Sequence, residues 1–121
     1  MAWKLTSDRP IYLQLMECIE LGIVSGRYTP GDRLPSVREL AAEAEVNPNT
    51  MQKALLELER TGLVYTQRTS GRFITQDREL IQKCKEEIAN HHIVDFIDKM
   101  KGMGYTVQEI IDFMEAIKRR Y

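Results

Sequence analysis

Cysteine is scarce in this chain, large aromatics are few, and neither sign of charge is in excess. Its 121 residues include two cysteines, one tryptophan and three phenylalanines, with a formal net charge of −1. Cys18 and Cys84 each fall inside a helically spaced apolar pattern, which suits buried thiols better than a disulfide, a metal pair or a redox sensor. There is no Cys-x-x-Cys, no glycine-rich phosphate loop and no Ser/His/Asp grouping, so neither catalysis nor a cofactor nor a metal is expected. His91 and His92 are adjacent, about 100° apart on a helix, and cannot face one metal together; they read as a surface pair. No apolar run approaches the roughly 20 residues of a membrane span, and no signal-peptide pattern opens the sequence. The expectation is a cytoplasmic protein without a membrane partner.

What is present is a succession of helix starts and stops. Pro10 opens a first helix, with Ile11, Leu15, Ile19 and Ile23 on its apolar face and Tyr12, Met16 and Cys18 beside it, running to Gly26. Before it, Trp3 and Leu5 alternate as in a strand. Pro30-Gly31 breaks the chain, after which Arg33-Leu34 can form a very short strand. Ser36-Val-Arg-Glu39 has the form of a capping box, opening a helix with Val37, Leu40 and Ala41 on one face. Asn47-Pro48 starts another, on which Met51, Ala54, Leu55 and Leu58 keep the i, i+3, i+4, i+7 spacing until Gly62 stops it.

That helix leaves Asn49, Thr50, Gln52 and Lys53 off its apolar stripe, in its first two turns. Amides, hydroxyls and an ammonium are the groups that reach base edges and phosphates, and a helix N-terminus offers free N–H groups to an anion. A short helix, a tight connection and a second helix of this kind suit a helix-turn-helix. Next come two β-branched and aromatic runs, Leu63–Gln67 and Arg72–Gln76, around Arg68-Thr-Ser-Gly71: a hairpin by composition. Leu63, Tyr65 and Phe73 or their alternates face inward, since register is not fixed by the pattern. At the tip, Arg68, Ser70 and Gly71 suit backbone or minor-groove contact.

From Asp77 the pattern changes. Leu80, Ile81, Cys84 and Ile88, then Phe96, Ile97 and Met100, are helically spaced, with Asn90-His-His92 between them, where the helix either continues or bends. Thr106-Val-Gln-Glu109 is a second capping box, opening a last helix with Ile110, Ile111, Met114 and Ile117. Both helices are too apolar on one side to stand alone in water: they fold onto the first domain, pair with a second copy of the chain, or both, a two-fold dimer being the favoured assembly.

PGDRLPSVRELA, then VNPNT-x-QKAL-x-ELE-x-x-GL, then a hairpin ending SGRFI, resembles the winged-helix domain of GntR-type bacterial transcription regulators over roughly residues 9–76. The remainder resembles the two-helix tail of the YtrA-like subfamily. The resemblance implies a mostly α fold with a small β-hairpin: a winged helix-turn-helix domain at 1–76 and a two-helix dimerisation tail at 77–121. It implies a homodimeric, sequence-specific regulator, a repressor of a palindromic operator on double-stranded DNA, in a subfamily linked to transporter operons. It also implies that Arg38 projects to DNA. The DNA-contact set expected from residues and resemblance together is Arg33, Ser36, Arg38, Asn47, Asn49, Thr50, Gln52, Lys53, Arg68, Ser70 and Gly71, with Arg72 also on the DNA side. A small-molecule effector has little room in so short a tail and stays unidentified. Through Gln76 there are nine Lys/Arg against nine Asp/Glu. A DNA binder usually shows a basic face, so contact must depend on local placement, and a winged-helix module that binds protein instead of DNA is the alternative.

Overall fold

The computed structural model describes residues 3–121. In chain order the elements are α1 (Ile11–Val24), α2 (Val37–Ala44), α3 (Pro48–Thr61), β1 (Val64–Gln67), β2 (Gly71–Ile74), α4 (Arg78–Gly102) and α5 (Val107–Lys118). The contacts separate into two compact units, Met1–Lys85 and Glu86–Tyr121.

In the first unit α3 packs against α1, α2 and β1. Apolar stripes read from the sequence form the core: Leu15 and Ile19 of α1, Leu40 of α2, and Met51, Leu55 and Leu58 of α3 are each at most 1% exposed. Burying a side chain of this size is worth about 1.5–3 kcal/mol, which covers the poor stability of such short helices in isolation. The helix junctions are built by the residues that signalled them. Asn47 Oδ1 accepts from the Asn49 N–H at 2.8 Å, with Pro48 in the first turn. Gly62, at φ 84°, ends α3 in the left-handed region. Between α2 and α3 the chain turns through Glu45, which takes φ 57° while the Val46 N–H donates to the Ala41 carbonyl. A glutamate in this conformation carries a steric cost that glycine would not.

Several local expectations change. Residues 3–9 form no strand. The segment is fastened to α1 by the buried Gln14, whose amide donates to the Thr6 and Arg9 carbonyls at 2.8 and 2.9 Å and accepts from the Thr6 N–H at 2.8 Å. Side-chain bonding to an irregular segment here replaces a backbone ladder. Pro10 is the residue before α1, not its first, and α1 ends at Val24 rather than Gly26. At Ser36 only half of the expected capping box forms: its hydroxyl accepts from the Glu39 N–H at 3.1 Å. Thr106 and Glu109 make both halves, at 3.1 and 3.0 Å.

The hairpin pairs Val64 with Ile74 and Tyr65 with Phe73. Val64 and Ile74 are the inward pair, 1% and 0% exposed, while Tyr65 and Phe73 stack on the other face with ring centroids 5.8 Å apart. The alternates to the first-named inward residues therefore hold, apart from Leu63, which is buried just before β1. Arg33 bridges to Phe73, and the Leu34 N–H donates to the Arg72 carbonyl at 2.9 Å, so the short strand at Arg33-Leu34 does pair with the wing.

Helix α4 runs without a break from Arg78 to Gly102, through Asn90-His-His92. His91 pairs with Asp95 at 3.5 Å on its surface. Leu80, Ile81 and Cys84 belong to the first unit. Cys84 is buried there, its Sγ 3.7 Å from Glu20 Oε2, and Leu80 lies close to Gly62. In the second unit Ile110 is buried, and Tyr105 meets Phe113 edge-on at 5.1 Å. Phe96, Ile111, Met114 and Ile117 are exposed, as are Ile93, Val94 and Phe113. None of the described helices is long and apolar enough to cross a membrane.

Candidate nucleic-acid interface

The first two turns of α3 are the centre of the site. Their apolar residues, Met51, Ala54 and Leu55, are turned into the core, which fixes the opposite face by helix geometry. Asn49 and Lys53 are exposed there, and Thr50 and Gln52 are half-buried. The helix begins with its positive dipole end beside these side chains, favouring an anion, but its first-turn amides are already engaged: those of Thr50 and Met51 donate to the Asn47 carbonyl at 3.0 and 3.2 Å. Asn47 is partly used up: its side-chain oxygen is taken by the Asn49 amide. Its NH2 group remains as a donor.

Arg38 is exposed on α2, and among the described residues it makes no ion pair. Ser36, exposed at the start of α2, accepts one amide and keeps its hydroxyl hydrogen for a further acceptor. Arg33 reaches the wing. Its Nε would stand 3.0 Å from a β-carbon placed on Gly71, which itself takes φ 107°. The backbone conformation favours glycine there, and any side chain would also push the exposed Arg33 guanidinium aside. Arg68 and Ser70 are exposed at the hairpin tip, where the Ser70 N–H donates to the Gln67 carbonyl at 3.1 Å.

Two placements were not foreseen. Arg72 does not stand free on the DNA side. Its Nε donates to Glu59 Oε1 at 3.0 Å, with both side chains less than one quarter exposed, and Thr66 Oγ1 donates to the same oxygen. Glu59 thus ties both wing strands to α3. No local pattern marks that pairing, because its partners are 7 and 13 residues away. Lys53, in turn, stands over the ring of Tyr12 on α1, 4.0 Å from its centroid. Asp32, beside Arg33, closes its own turn: the Thr29 amide donates to its carboxylate at 3.0 Å. Hydrogen bonds from the Thr29 side chain and backbone hold that carboxyl below the usual range.

A helix with polar side chains at its N-terminal end, a shorter helix before it and a charged hairpin beside it define a winged helix-turn-helix DNA-binding protein. The chain belongs to the GntR family: the family model described as "Bacterial regulatory proteins, gntR family" matches residues 11–74. It is 45% identical over 112 residues to the HTH-type transcriptional repressor YtrA of Bacillus subtilis, covering 92% of this chain and 86% of that protein. A solved GntR family transcriptional regulator from Listeria monocytogenes superposes with a TM-score of 0.84 at 39% identity, over 93% of this chain and 98% of that one. AraR(DBD), solved in complex with an operator, matches with a TM-score of 0.54 at 28% identity, over 62% of this chain and 93% of that one. The protein is a DNA-binding transcription regulator of the YtrA-like kind, not an enzyme.

Proposed function

We propose that the protein is a homodimeric repressor that reads a palindromic operator with α3 and grips the flanking backbone with α2 and the wing. The observation that carries this is the division of α3: one face is fully committed to the core, while Asn49, Thr50, Gln52 and Lys53 stand outside it at the positive end of the helix. Gln52 suits a base edge, since a side-chain amide can bond bidentately to adenine. Lys53, Arg33, Arg38 and Arg68 suit phosphates, with Ser36, Asn47, Ser70 and Gly71 adding neutral contacts. Reading the protein as a repressor draws on its similarity to the repressor YtrA.

The second unit supports a dimer. Ile93, Val94, Phe96, Ile111, Phe113, Met114 and Ile117 are all more than 40% exposed within a stretch of 36 residues. An apolar surface of that density marks an interaction site, and a two-fold pair would present two recognition helices at a fixed spacing. Cys84, by contrast, is buried within the first unit and Leu80 and Ile81 are half-buried there, which favours an interface centred further along, on Phe96 and α5. Any effector would bind between subunits.

Selection of bound duplexes from a random pool tests the proposal. The expected product is a palindrome with half-sites about one helical turn, or a multiple, apart. An asymmetric single half-site, or no enrichment over the starting pool, would refute it.

A further inference from the structure

On the DNA-contact reading above, we propose that Tyr12 is a positioning residue for Lys53, bringing α1 into the work of DNA binding. A lysine on a helix surface ordinarily turns toward a carboxylate three or four residues away. For Lys53 that residue is Glu57, and Glu57 is engaged elsewhere, with Arg60 at 3.5 Å. Lys53 instead crosses to another helix and sets its ammonium 4.0 Å from the centre of the Tyr12 ring.

The ring is well placed to hold it. Tyr12 lies in the first turn of α1, where Gln14 fastens the preceding segment through three hydrogen bonds. Its neighbour Leu15 is fully buried, so the backbone beneath the ring is anchored from both sides. An aromatic face attracts a cation without neutralising it and leaves its N–H donors available. A carboxylate partner would do the reverse, cancelling the charge that a phosphate needs. Tyr12 therefore removes rotamer freedom from Lys53 while keeping its full charge. It also draws the ammonium to the flank of α3 facing α1. In a recognition helix the flanks run beside the phosphate rows and the centre lies over base edges. Lys53 is thereby assigned to backbone neutralisation, and Gln52, one residue before it, is left to the bases.

The test is a double-substitution cycle in the full-length protein, using a short mixed-sequence duplex as the probe and a salt series as the reading. Tyr12→Leu should weaken binding about two- to fivefold at low salt, the range of an exposed cation–π contact. Tyr12→Phe, which keeps the ring face, should bind as the unsubstituted protein does. Lys53→Met should cost less in the Tyr12→Leu background than alone. Independently of DNA, the ε-methylene protons of Lys53 should show an upfield ring-current shift in the free protein. That shift should persist in Tyr12→Phe and vanish in Tyr12→Leu. Additive losses, a Tyr12→Phe defect equal to that of Tyr12→Leu, or an unshifted Lys53 ε-methylene would each overturn the proposal. If the unsubstituted protein bound no duplex at low salt, the DNA-contact reading would fail and take this inference with it. If it bound while the cycle was additive, the inference alone would fall.

Discussion

Glu59 on α3 and Arg72 on the second wing strand share a hydrogen-bonded ion pair of 3.0 Å, shielded from solvent on most of its surface. The pair makes the wing's angle a property of α3, because Thr66 on the first strand donates to the same carboxylate oxygen. Glu59→Ala should cost about 1–2 kcal/mol of stability, between an exposed pair and a fully buried one. Glu59→Gln, which keeps an acceptor, should cost less. Denaturant titration measures the first effect. Hydrogen exchange should show wing amides opening faster while the α1 core stays protected; unchanged wing exchange would separate the wing from this clamp.

Gly71 occupies a position whose backbone favours glycine. Its φ of 107° leaves Gly71→Ala strained, and the added β-carbon would stand 3.0 Å from Arg33 Nε, so the Arg33 side chain would have to shift. We expect a loss of about 1–2 kcal/mol from the backbone alone. Displacement of Arg33 adds a drop in duplex affinity that Arg33→Ala should already contain. If the double substitution Gly71→Ala, Arg33→Ala binds as weakly as the product of the two single losses, the two residues do not act through each other.

Much of this arrangement is visible in the sequence, and the part that is not has a common cause. Helix starts at Asn47-Pro48 and Thr106, the stop at Gly62 and the core stripe of α3 are local signals, written in residues a few positions apart, and the structure realises each of them. The capping box at Ser36 forms on one side only, since a side chain on an exposed helix end can equally remain in water. What the sequence leaves unread depends on residues distant in the chain. Tyr12 and Lys53 are 41 positions apart, and Glu59 meets strands that do not exist until the hairpin closes. Hairpin register belongs to the same class: Val64 and Ile74 face inward because α3 packs against β1, a fact that alternation within either strand cannot supply. Arg72 reads as a DNA-side cation for as long as its partner is unknown.

Gln52 and Lys53 are adjacent yet should fail differently when removed. Gln52→Ala should lose about 1–3 kcal/mol on the preferred duplex and much less on others, flattening preference at a single base pair. Lys53→Ala should weaken every duplex by a similar factor and reduce the salt slope by about 0.9, one phosphate's share of released counterion. Binding isotherms on preferred and scrambled duplexes over a salt series distinguish the two. Equal losses on both duplexes for both variants would contradict the division of labour.

The turn before Arg33 should carry a pH signature. Hydrogen bonds from the Thr29 side chain and backbone hold the Asp32 carboxyl below the usual carboxylate range. A carboxyl depressed on folding adds stability above its unfolded pKa, and that stability is lost as pH falls through the folded one. The unsubstituted protein should therefore exceed Asp32→Ala in stability at neutral pH, with the gap narrowing below about pH 4. Denaturation midpoints of both proteins across that window give the comparison; a gap independent of pH would mean the side chain acts without its charge.

The exposed apolar residues of the second unit make the proposed pairing separable from the fold. Met114 and Ile117 are 55% and 45% exposed on α5 and Phe96 is 41% exposed on α4, so a charge at one of them meets water in the monomer and apolar surface in a dimer. Met114→Asp should leave the helical content and the thermal unfolding of the first unit intact, because nothing buried is disturbed. It should shift the sedimenting species from two chains to one, since burying an unpaired carboxylate costs several kcal/mol at an interface. Loss of pairing should then reduce affinity for a two-half-site duplex far more than for a single half-site, because the linked pair benefits from effective concentration and the lone chain does not. A variant that remained paired would move the interface away from α5. One that became single yet bound the palindrome undiminished would mean that the two recognition helices never acted together.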